Sequence, residues 1–343
     1  MRRFCALLAM ILVSIPFALF AQPGTEGRNN DFYDDRELVE LPGPRAIEIA
    51  GETVETGSVD LAALELRTVI RRDAVIDGDG TRFVGAYRYD GYSLFDILRT
   101  VLPEKAAPAE FDRVIDLLVV AENARGERAV ISWGEIFYPV VPHRIIIATR
   151  AAPILPSMTD DVWPLPASTK LVFGDDLLSE RSIEAPTLLR IVSRSIGVET
   201  KKGLKPLYSD AVTVYLGGEQ VMRITDFPPD AVRSSYRAVF YGRGRGFHGV
   251  IDFEGPQLRS VLAGIVPIDR RTLREGFLMA VAPDGYRVAI TCSELFNRSD
   301  NSEFLLIDRG EEPGGRFSIY PPMDFFSDRA VKALSEIRFY AIE

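Results

Sequence analysis

The sequence predicts an α+β protein that is mostly β and consists of two tandem copies of one module. Blocks of residues in the first half recur in the second half with the same internal spacing. Most other segments are short, rich in β-forming residues and bounded by glycine or proline, which is typical of strands and turns. Segments with helical periodicity are few and short, about two in each copy.

Two blocks carry the internal repeat. The segment FVGAYRYDGYSLFDIL recurs as FHGVIDFEGPQLRSVL, at an offset of 164 residues from Phe83 to Phe247. The segment AENARGERAVISWGEIF recurs as AVAPDGYRVAITCSELF, at an offset of 159 residues from Glu135 to Glu294. An offset of this size is the length of a domain and far exceeds the short units of solenoids. Each copy is therefore expected to have its own core.

The first 21 residues have the layout of a secretory signal peptide. Arg2 and Arg3 precede an apolar run over residues 4–20, and the small residue Ala21 follows it. We expect cleavage near Ala21 and export to the periplasm or the extracellular space. The alternative is an uncleaved membrane anchor, because the run is at the short end of the roughly 17 to 25 residues that a spanning helix needs. In that case this segment is the only predicted contact with a membrane.

Composition predicts the remaining boundaries. Residues 22–45 are polar, acidic and interrupted by glycine and proline, and we predict a solvated, flexible tether there. Residues 197–206 (GVETKKGLKP) have the same character and are predicted to be a linker. The first copy then spans residues 46–196 and the second spans residues 207–343.

Local signals predict the elements of each copy. Gly217-Gly218 within AVTVYLGGEQVMRI predicts a hairpin. SLFDILRTVL predicts a helix with Ser93 as its N-cap, and QLRSVLAGIV predicts the counterpart. The strands RAVISW and RVAITC lead into short acidic helical turns at Glu135 and Glu294, and IIIAT and FLLID predict one further buried strand in each copy.

Charge, cysteine content and motifs exclude several classes of protein. The 49 acidic residues outnumber the 40 basic ones, for a net charge of −9, so nucleic acid is a poor partner. Cleavage of the signal peptide leaves Cys292 as the sole cysteine, which excludes an internal disulfide. The two histidines, His143 and His248, are far apart and do not suggest a metal site. The sequence has no G-x-S-x-G, phosphate-binding or dinucleotide-binding motif.

The order of the landmarks resembles the molybdopterin-binding domain of the sulfite oxidase family. The second copy matches its F/W-x-G-V turn, D-G-Y motif, strand before a proline and closing I-x-F strand at residues 247–250, 284–286, 316–321 and 337–339. The first copy is more eroded and has ARG at residues 124–126 in place of D-G-Y. The two copies cover nearly all of the mature chain, so the resemblance implies two tandem sulfite-oxidase-like modules.

The cysteine that ligates molybdenum in this family is missing from both copies. The family places that cysteine before the F/W-x-G-V turn, and a soft thiolate suits the metal. The same region is TVIRRDAVIDGDG in the first copy and YRAVFYGRGRG in the second. Cys292 lies in a later hairpin, where it is a displaced ligand, a redox-active thiol or an apolar filler, and free cysteines are commonly buried. The departure predicts a protein without redox activity that retains a pocket for a pterin.

The candidate ligand site is the glycine- and arginine-rich segment from Tyr241 to His248. Glycines let backbone N–H groups approach an anion, while Arg243 and Arg245 offer bidentate donors to a phosphate, a carboxylate or the edge of a pterin. His248 is predicted to orient the ligand. The alternative is a hairpin tip whose arginines are solvated.

Two aromatic residues outside this segment, Trp133 and Tyr286, are candidates for stacking on a flat heterocycle. Their alternative role is to complete the core at the ends of hairpins. No residue is predicted to be catalytic.

The sequence thus predicts an exported, non-redox protein that binds a pterin or a similar anionic heterocycle. The resemblance implies that it acts as a sensor or accessory protein for a periplasmic or membrane partner. Two alternatives remain. One is a molybdopterin-dependent oxidoreductase in which Cys292 is the metal ligand, and the other is an envelope scaffold that binds another protein through its sheet edges.

Overall fold

The computed structural model describes residues 37–310 and 315–342. Strands make up most of the regular structure and the helices are short, which confirms the predicted mostly β, α+β class. The predicted signal peptide (1–21) and most of the predicted tether (22–36) lie outside the described residues. Among the described residues, no helix has the length and apolar character needed to cross a bilayer.

The first half contains ten strands and two α-helices within its described residues. The strands are β1 (Val39–Glu40), β2 (Ala46–Gly51), β3 (Gly57–Asp60), β4 (Arg67–Asp77), β5 (Gly80–Ser93), β6 (Leu118–Asn123), β7 (Arg128–Ser132), β8 (Ile145–Pro153), β9 (Lys170–Phe173) and β10 (Pro186–Val192). The helices are α1 (Leu94–Leu98) and α2 (Trp133–Phe137).

The second half contains nine strands and three α-helices within its described residues. The strands are β11 (Val212–Leu216), β12 (Glu219–Ile224), β13 (Arg233–Gly242), β14 (Gly246–Pro256), β15 (Gly276–Val281), β16 (Arg287–Thr291), β17 (Leu305–Asp308), β18 (Phe317–Tyr320) and β19 (Glu336–Ala341). The helices are α3 (Leu258–Val261), α4 (Arg270–Glu275) and α5 (Cys292–Phe296). Helix α4 was not predicted from the sequence.

Each half contains a five-stranded sheet, and the strand order is the same in both. The order is β3-β2-β10-β6-β7 in the first half and β12-β11-β19-β15-β16 in the second. The last strand of each half, β10 or β19, lies in the centre of its sheet. It is parallel to β2 or β11 on one side and antiparallel to β6 or β15 on the other. Neither sheet is complete until the chain has reached the last strand of that half.

The long hairpin of each half, β4–β5 or β13–β14, belongs to a different kind of sheet. In the first half, β4 and β5 belong to a sheet in the order β1-β8-β5-β4, and β9 also pairs with β8. In the second half, β13 and β14 form a separate two-stranded ribbon, and β17 and β18 form another. The residues of the β13–β14 ribbon are mostly exposed or half-buried.

Several predicted local features are confirmed. Gly217 and Gly218 form the turn between β11 and β12 with φ of 60° and 86°, a conformation that glycine adopts without steric cost. The Ser93 hydroxyl caps α1 by accepting from the Asp96 N–H at 3.1 Å. Residues 197–206 contain no helix or strand, and their role as a boundary between two domains stays a prediction.

The predicted tether, residues 22–45, extends too far, because the chain joins the fold before residue 46. Val39 and Glu40 pair with Ala151 and Arg150 of β8. The Leu41 side chain is buried in the apolar cluster beneath that strand. Composition alone missed this because the apolar positions are too few to form a periodic pattern.

Two buried ion-pair clusters of the same pattern lie where the halves meet. In the first half, Arg181 bridges Asp176 and Glu135. In the second half, Arg329 bridges Asp324 and Glu294. Because each arginine side chain is almost fully buried, each depends on its two carboxylates for compensation of its charge.

Contacts across the boundary link the two clusters. The Ser132 hydroxyl of the first half donates to Glu294 Oε2 at 2.6 Å. Arg181 Nη1 donates to the Thr291 hydroxyl of the second half at 3.3 Å. Around them, one large apolar core includes residues of both halves, among them Ile131 and Leu295. The two halves therefore share a polar and an apolar interface.

Candidate functional site

A cavity of about 620 Å³ lies at the tip of the β13–β14 hairpin. Four of the six residues predicted from the sequence line it, namely Arg243, Arg245, His248 and Tyr286. The volume lies in the range of roughly 300 to 1,000 Å³ that is usual for small-molecule sites. The structure therefore brings the hairpin tip and the D-G-Y turn to one place.

Glycines shape the hairpin tip. Gly242 is paired with Gly246, whose φ of 73° lies in the left-handed region. A Cβ on Gly242 would lie 3.0 Å from Nε2 of His248, so the absence of a side chain lets the imidazole lie against the backbone. Gly242, at the end of the neighbouring strand β13, thus leaves room for His248 at the cavity wall.

The cavity is basic although the chain as a whole is acidic. Its lining includes five basic and two acidic side chains: Arg113, Arg243, Arg245, Arg309 and Lys332, with Asp284 and Asp328. The net charge of the chain is −9. A locally positive cleft in an acidic protein attracts and retains an anion.

Among the basic residues that line the cavity, Arg245 and Lys332 are the least compensated by acidic groups of the protein. Neither has an ion pair or a hydrogen bond within the described part of the chain. Burial of Lys332, together with the nearby charges of Arg309 and Arg245, lowers the pKa of Lys332. The positive charges therefore repel one another, and a bound anion would relieve that repulsion.

Arg243 is held at the wall by aromatic rings. Its guanidinium carbon lies 4.8 Å from the ring centroid of Phe326 and 5.3 Å from that of Tyr138. Its Nε lies 3.8 Å from Asp328 Oδ1. These contacts fix its position and already engage part of its charge.

Tyr286 forms a fixed wall of the cavity. Its hydroxyl donates to the Asp328 carbonyl at 2.5 Å, and burial raises its pKa. The guanidinium carbon of Arg113 lies 5.2 Å from the centroid of the Tyr286 ring, and the ring of Phe111 packs edge-on at 5.9 Å. A flat ligand that stacks on Tyr286 would compete with Arg113 for the ring.

Two of the predicted residues, Trp133 and Tyr241, do not line this cavity. Trp133 is buried and packs on Phe137, with 4.5 Å between the ring centroids, so its position corresponds to the core-completing alternative. Tyr241 lies next to Phe325 in a neighbouring groove, because successive side chains of a strand point to opposite faces. Neither residue is placed to stack on a ligand in the cavity.

Sequence reasoning missed several residues of the cavity. Arg113 comes from the first half, while Arg309 and Lys332 follow β17 and β18. Each is an isolated basic residue in a loop without a motif. Only the tertiary arrangement of distant loops brings them together.

Cys292 is not placed for metal binding. It is 1 % exposed and does not line the cavity, and burial raises the pKa of its thiol to about 12. Its Sγ packs against the backbone of Gly276, where a Cβ would lie only 2.8 Å away. A molybdenum ligand must be an accessible thiolate, so this environment does not fit the metal. The described residues also contain no cluster of three potential metal ligands among His, Cys, Asp and Glu.

The residue of the first half that corresponds to Asp328 is bound by other residues of the protein. Glu180 precedes Arg181 as Asp328 precedes Arg329, and its side chain is almost completely buried. It accepts from Arg270 Nε at 2.8 Å and from the Ile76 N–H at 2.5 Å, while its carbonyl accepts from Arg274. Arg270 and Arg274 of α4, a helix of the second half, thus bind Glu180, whose counterpart Asp328 lines the cavity.

No protein-family model matches the chain, and a comparison with curated proteins finds no significant match.

Proposed function

We propose that the protein is an exported, non-redox binding protein for a pterin or a similar small anionic heterocycle. The observation that carries this proposal is the basic cavity of about 620 Å³, in which Arg245 and Lys332 lack an acidic partner among the described residues. Both side chains are exposed, so their charges are accessible to a ligand. An anionic ligand at this position would pair with both.

The shape and lining of the cavity support a heterocycle over a simple ion. Phe240, Ile251 and Ala282 contribute apolar surface next to the basic groups. Small-molecule sites commonly combine an apolar lining with a few polar groups that fix orientation. Arg245 and Lys332 would hold the anionic or carbonyl edge, and His248 would orient the ring.

Two sulfite-oxidase-like modules are part of the proposal. The matching sheet orders and the matching ion-pair clusters support a duplication, and the motifs of the second copy support the family. The molybdenum chemistry of that family is not part of the proposal, because Cys292 is buried behind Gly276. Export and a periplasmic or membrane partner that responds to the ligand complete the proposal.

Only the second module is proposed to bind. Asp328 lines its cavity, whereas the corresponding residue of the first module, Glu180, is buried and bound by Arg270 and Arg274. The first module would then serve mainly as a structural support, and it contributes Arg113 to the cavity.

A fluorescence titration of residues 22–343 with 6-carboxypterin tests the proposal. We expect saturable binding that weakens about tenfold in Arg245→Ala and in Lys332→Ala, since each removes a charged donor. Arg237→Ala is the matched control, because this exposed arginine of the same ribbon does not line the cavity. Absence of saturable binding, or equal weakening in all three variants, would overturn the proposal.

A further inference from the structure

The outer edge of β14 differs from that of its counterpart in the first half. Strand β5 pairs with β4 on one side and with β8 on the other, with Tyr87 opposite Pro153 and Tyr89 opposite Ala151. Strand β14 pairs with β13 alone among the described strands. An unpaired edge offers a row of backbone donors and acceptors to another strand.

The two halves diverge at a defined point. A Cβ on Gly91 would lie 2.1 Å from the Ile147 carbonyl, and one on Gly255 would lie 2.3 Å from the Leu306 carbonyl. The neighbouring strand thus starts at the same place in both halves.

Beyond this point, β8 continues to Pro153 whereas β17 ends at Asp308. Just beyond that end, the Arg309 N–H donates to the Arg316 carbonyl at 2.6 Å, so the residue after β17 lies beside the residue before β18. Among its described residues, the second half has no counterpart to the part of β8 that covers β5 in the first.

A slot of about 290 Å³ occupies the place of that missing strand. It lies between Ile251–Glu254 of β14 and the strands β17 and β18. The rings of Phe253 and Tyr320 stack at 3.8 Å along it. The Ser318 side chain also lines it, is 4 % exposed and has no hydrogen-bond partner for its Oγ in the described structure. A buried hydroxyl without a partner is uncommon, and it points to an absent polar group.

We propose that the open edge of β14 binds an extended segment of a partner protein by strand addition. The first half shows what the occupant looks like, since β8 covers β5 with Thr149-Arg150-Ala151-Ala152-Pro153. Ala151 and Ala152 are buried there. The partner segment therefore runs antiparallel to β14 and has small side chains where it faces the slot, with a donor or acceptor near Ser318.

The alternation of the strand identifies the backbone groups that the partner meets. The Ala86 carbonyl of β5 accepts from the Ile154 N–H at 2.8 Å. In an antiparallel strand, the N–H and C=O of every second residue face the same side. Ala86 and Arg88 thus face β8, and their counterparts at the 164-residue offset are Val250 and Asp252. The N–H of Asp252 is therefore directed to the open edge and away from β13.

The test uses a peptide from the chain itself as the probe. A fluorescein-labelled peptide of residues 147–154 (IATRAAPI) is titrated into residues 22–343, and binding is followed by anisotropy. We expect saturable binding that slows amide exchange at residues 250–254. Asp252→Pro removes the outward N–H and should weaken binding about tenfold or more, whereas Asp252→Ala keeps this N–H and should bind like the native chain.

Thermal unfolding of both variants verifies that they are folded. The proposal is overturned if the peptide does not bind, if the two variants bind equally, or if the protected amides lie elsewhere. It is also overturned if the native chain is a dimer that Asp252→Pro converts to a monomer, because a second copy then occupies the edge. The titration contains no pterin, so failure of pterin binding and failure of peptide binding are observed separately, although the slot and the cavity share the lining residues Phe240, Ile251, Arg309, Ala330 and Lys332.

Discussion

Lys332 is a basic residue of the cavity whose pKa is lowered by its surroundings. Its pKa is lowered by burial and by Arg309 and Arg245, so its charge is lost at a lower pH than that of an ordinary lysine. Affinity for an anionic pterin should therefore fall as pH rises through this lowered pKa. In Lys332→Arg the charge persists, because arginine stays protonated.

Comparing the native chain with Lys332→Arg separates the effect of titrating Lys332 from the effect of titrating the ligand, because the ligand titrates in the same way with both proteins. Dissociation constants measured between pH 7 and pH 10 should diverge, with the native chain losing affinity first. Parallel profiles for the two proteins would show that Lys332 does not contact the anion.

Cys292 gives a second prediction at the scale of single residues. Burial raises its pKa to about 12, so almost no thiolate exists at neutral pH. We expect the thiol of the native mature chain to remain unmodified by a disulfide reagent at pH 8 and to react once the chain is unfolded in guanidinium. Rapid reaction of the folded protein would favour the alternative in which Cys292 serves as a redox or metal-binding thiol.

Elements that depend on local chemistry were predictable from the sequence. The turn at Gly217-Gly218, the Ser93 cap and the acidic turns at Glu135 and Glu294 follow from contacts between residues close in the chain. The Gly242–Gly246 tip was located for the same reason. Arg113 and Lys332 were not predicted, because they are distant in sequence and only the tertiary fold places them in the same cavity as Tyr286. Trp133 was a candidate for stacking on a ligand but lies in the core. The sequence could not separate these roles, because an aromatic residue at a hairpin end fits a core and a ligand site equally well.

The β11–β12 hairpin provides a prediction at the scale of an element. Gly218 has φ of 86° and no atom within 4 Å of an added Cβ, so Gly218→Ala introduces backbone strain alone. The free energy of unfolding should decrease by about 1 to 2 kcal/mol. Gly57→Ala in β3 is the matched control, since this glycine is also uncrowded and has no positive φ.

Urea unfolding measures both glycine variants. The expected order of stability is native chain, then Gly57→Ala close to it, then Gly218→Ala. A Gly218→Ala protein as stable as the control would mean that the turn does not require the left-handed conformation.

At the scale of the whole molecule, the ion-pair clusters predict that the two halves unfold together. Arg329 bridges Asp324 and Glu294, and Glu294 also accepts from Ser132 of the first half. Arg329→Met leaves two buried carboxylates without a cation, which costs about 3 to 5 kcal/mol. Arg271→Met is the control, because this arginine is exposed and its change should cost at most about 0.5 kcal/mol.

Both tryptophans, Trp133 and Trp163, lie in the first half, so their fluorescence reports on that half alone. The Arg329→Met change in the second half should shift the tryptophan transition and the circular-dichroism transition by the same amount. A tryptophan transition that stays at its native position would show that the halves are independent domains.

We propose above all that the open cavity of the second half holds an anionic heterocycle through Arg245 and Lys332. Mass spectrometry of small molecules released from the mature chain, purified from its native source, tests this most directly. We expect a pterin-class anion in stoichiometric amount with the native chain and its loss from the Arg245→Ala, Lys332→Ala double variant. Absence of such a molecule from the native chain, or the same amount in the double variant, would contradict it.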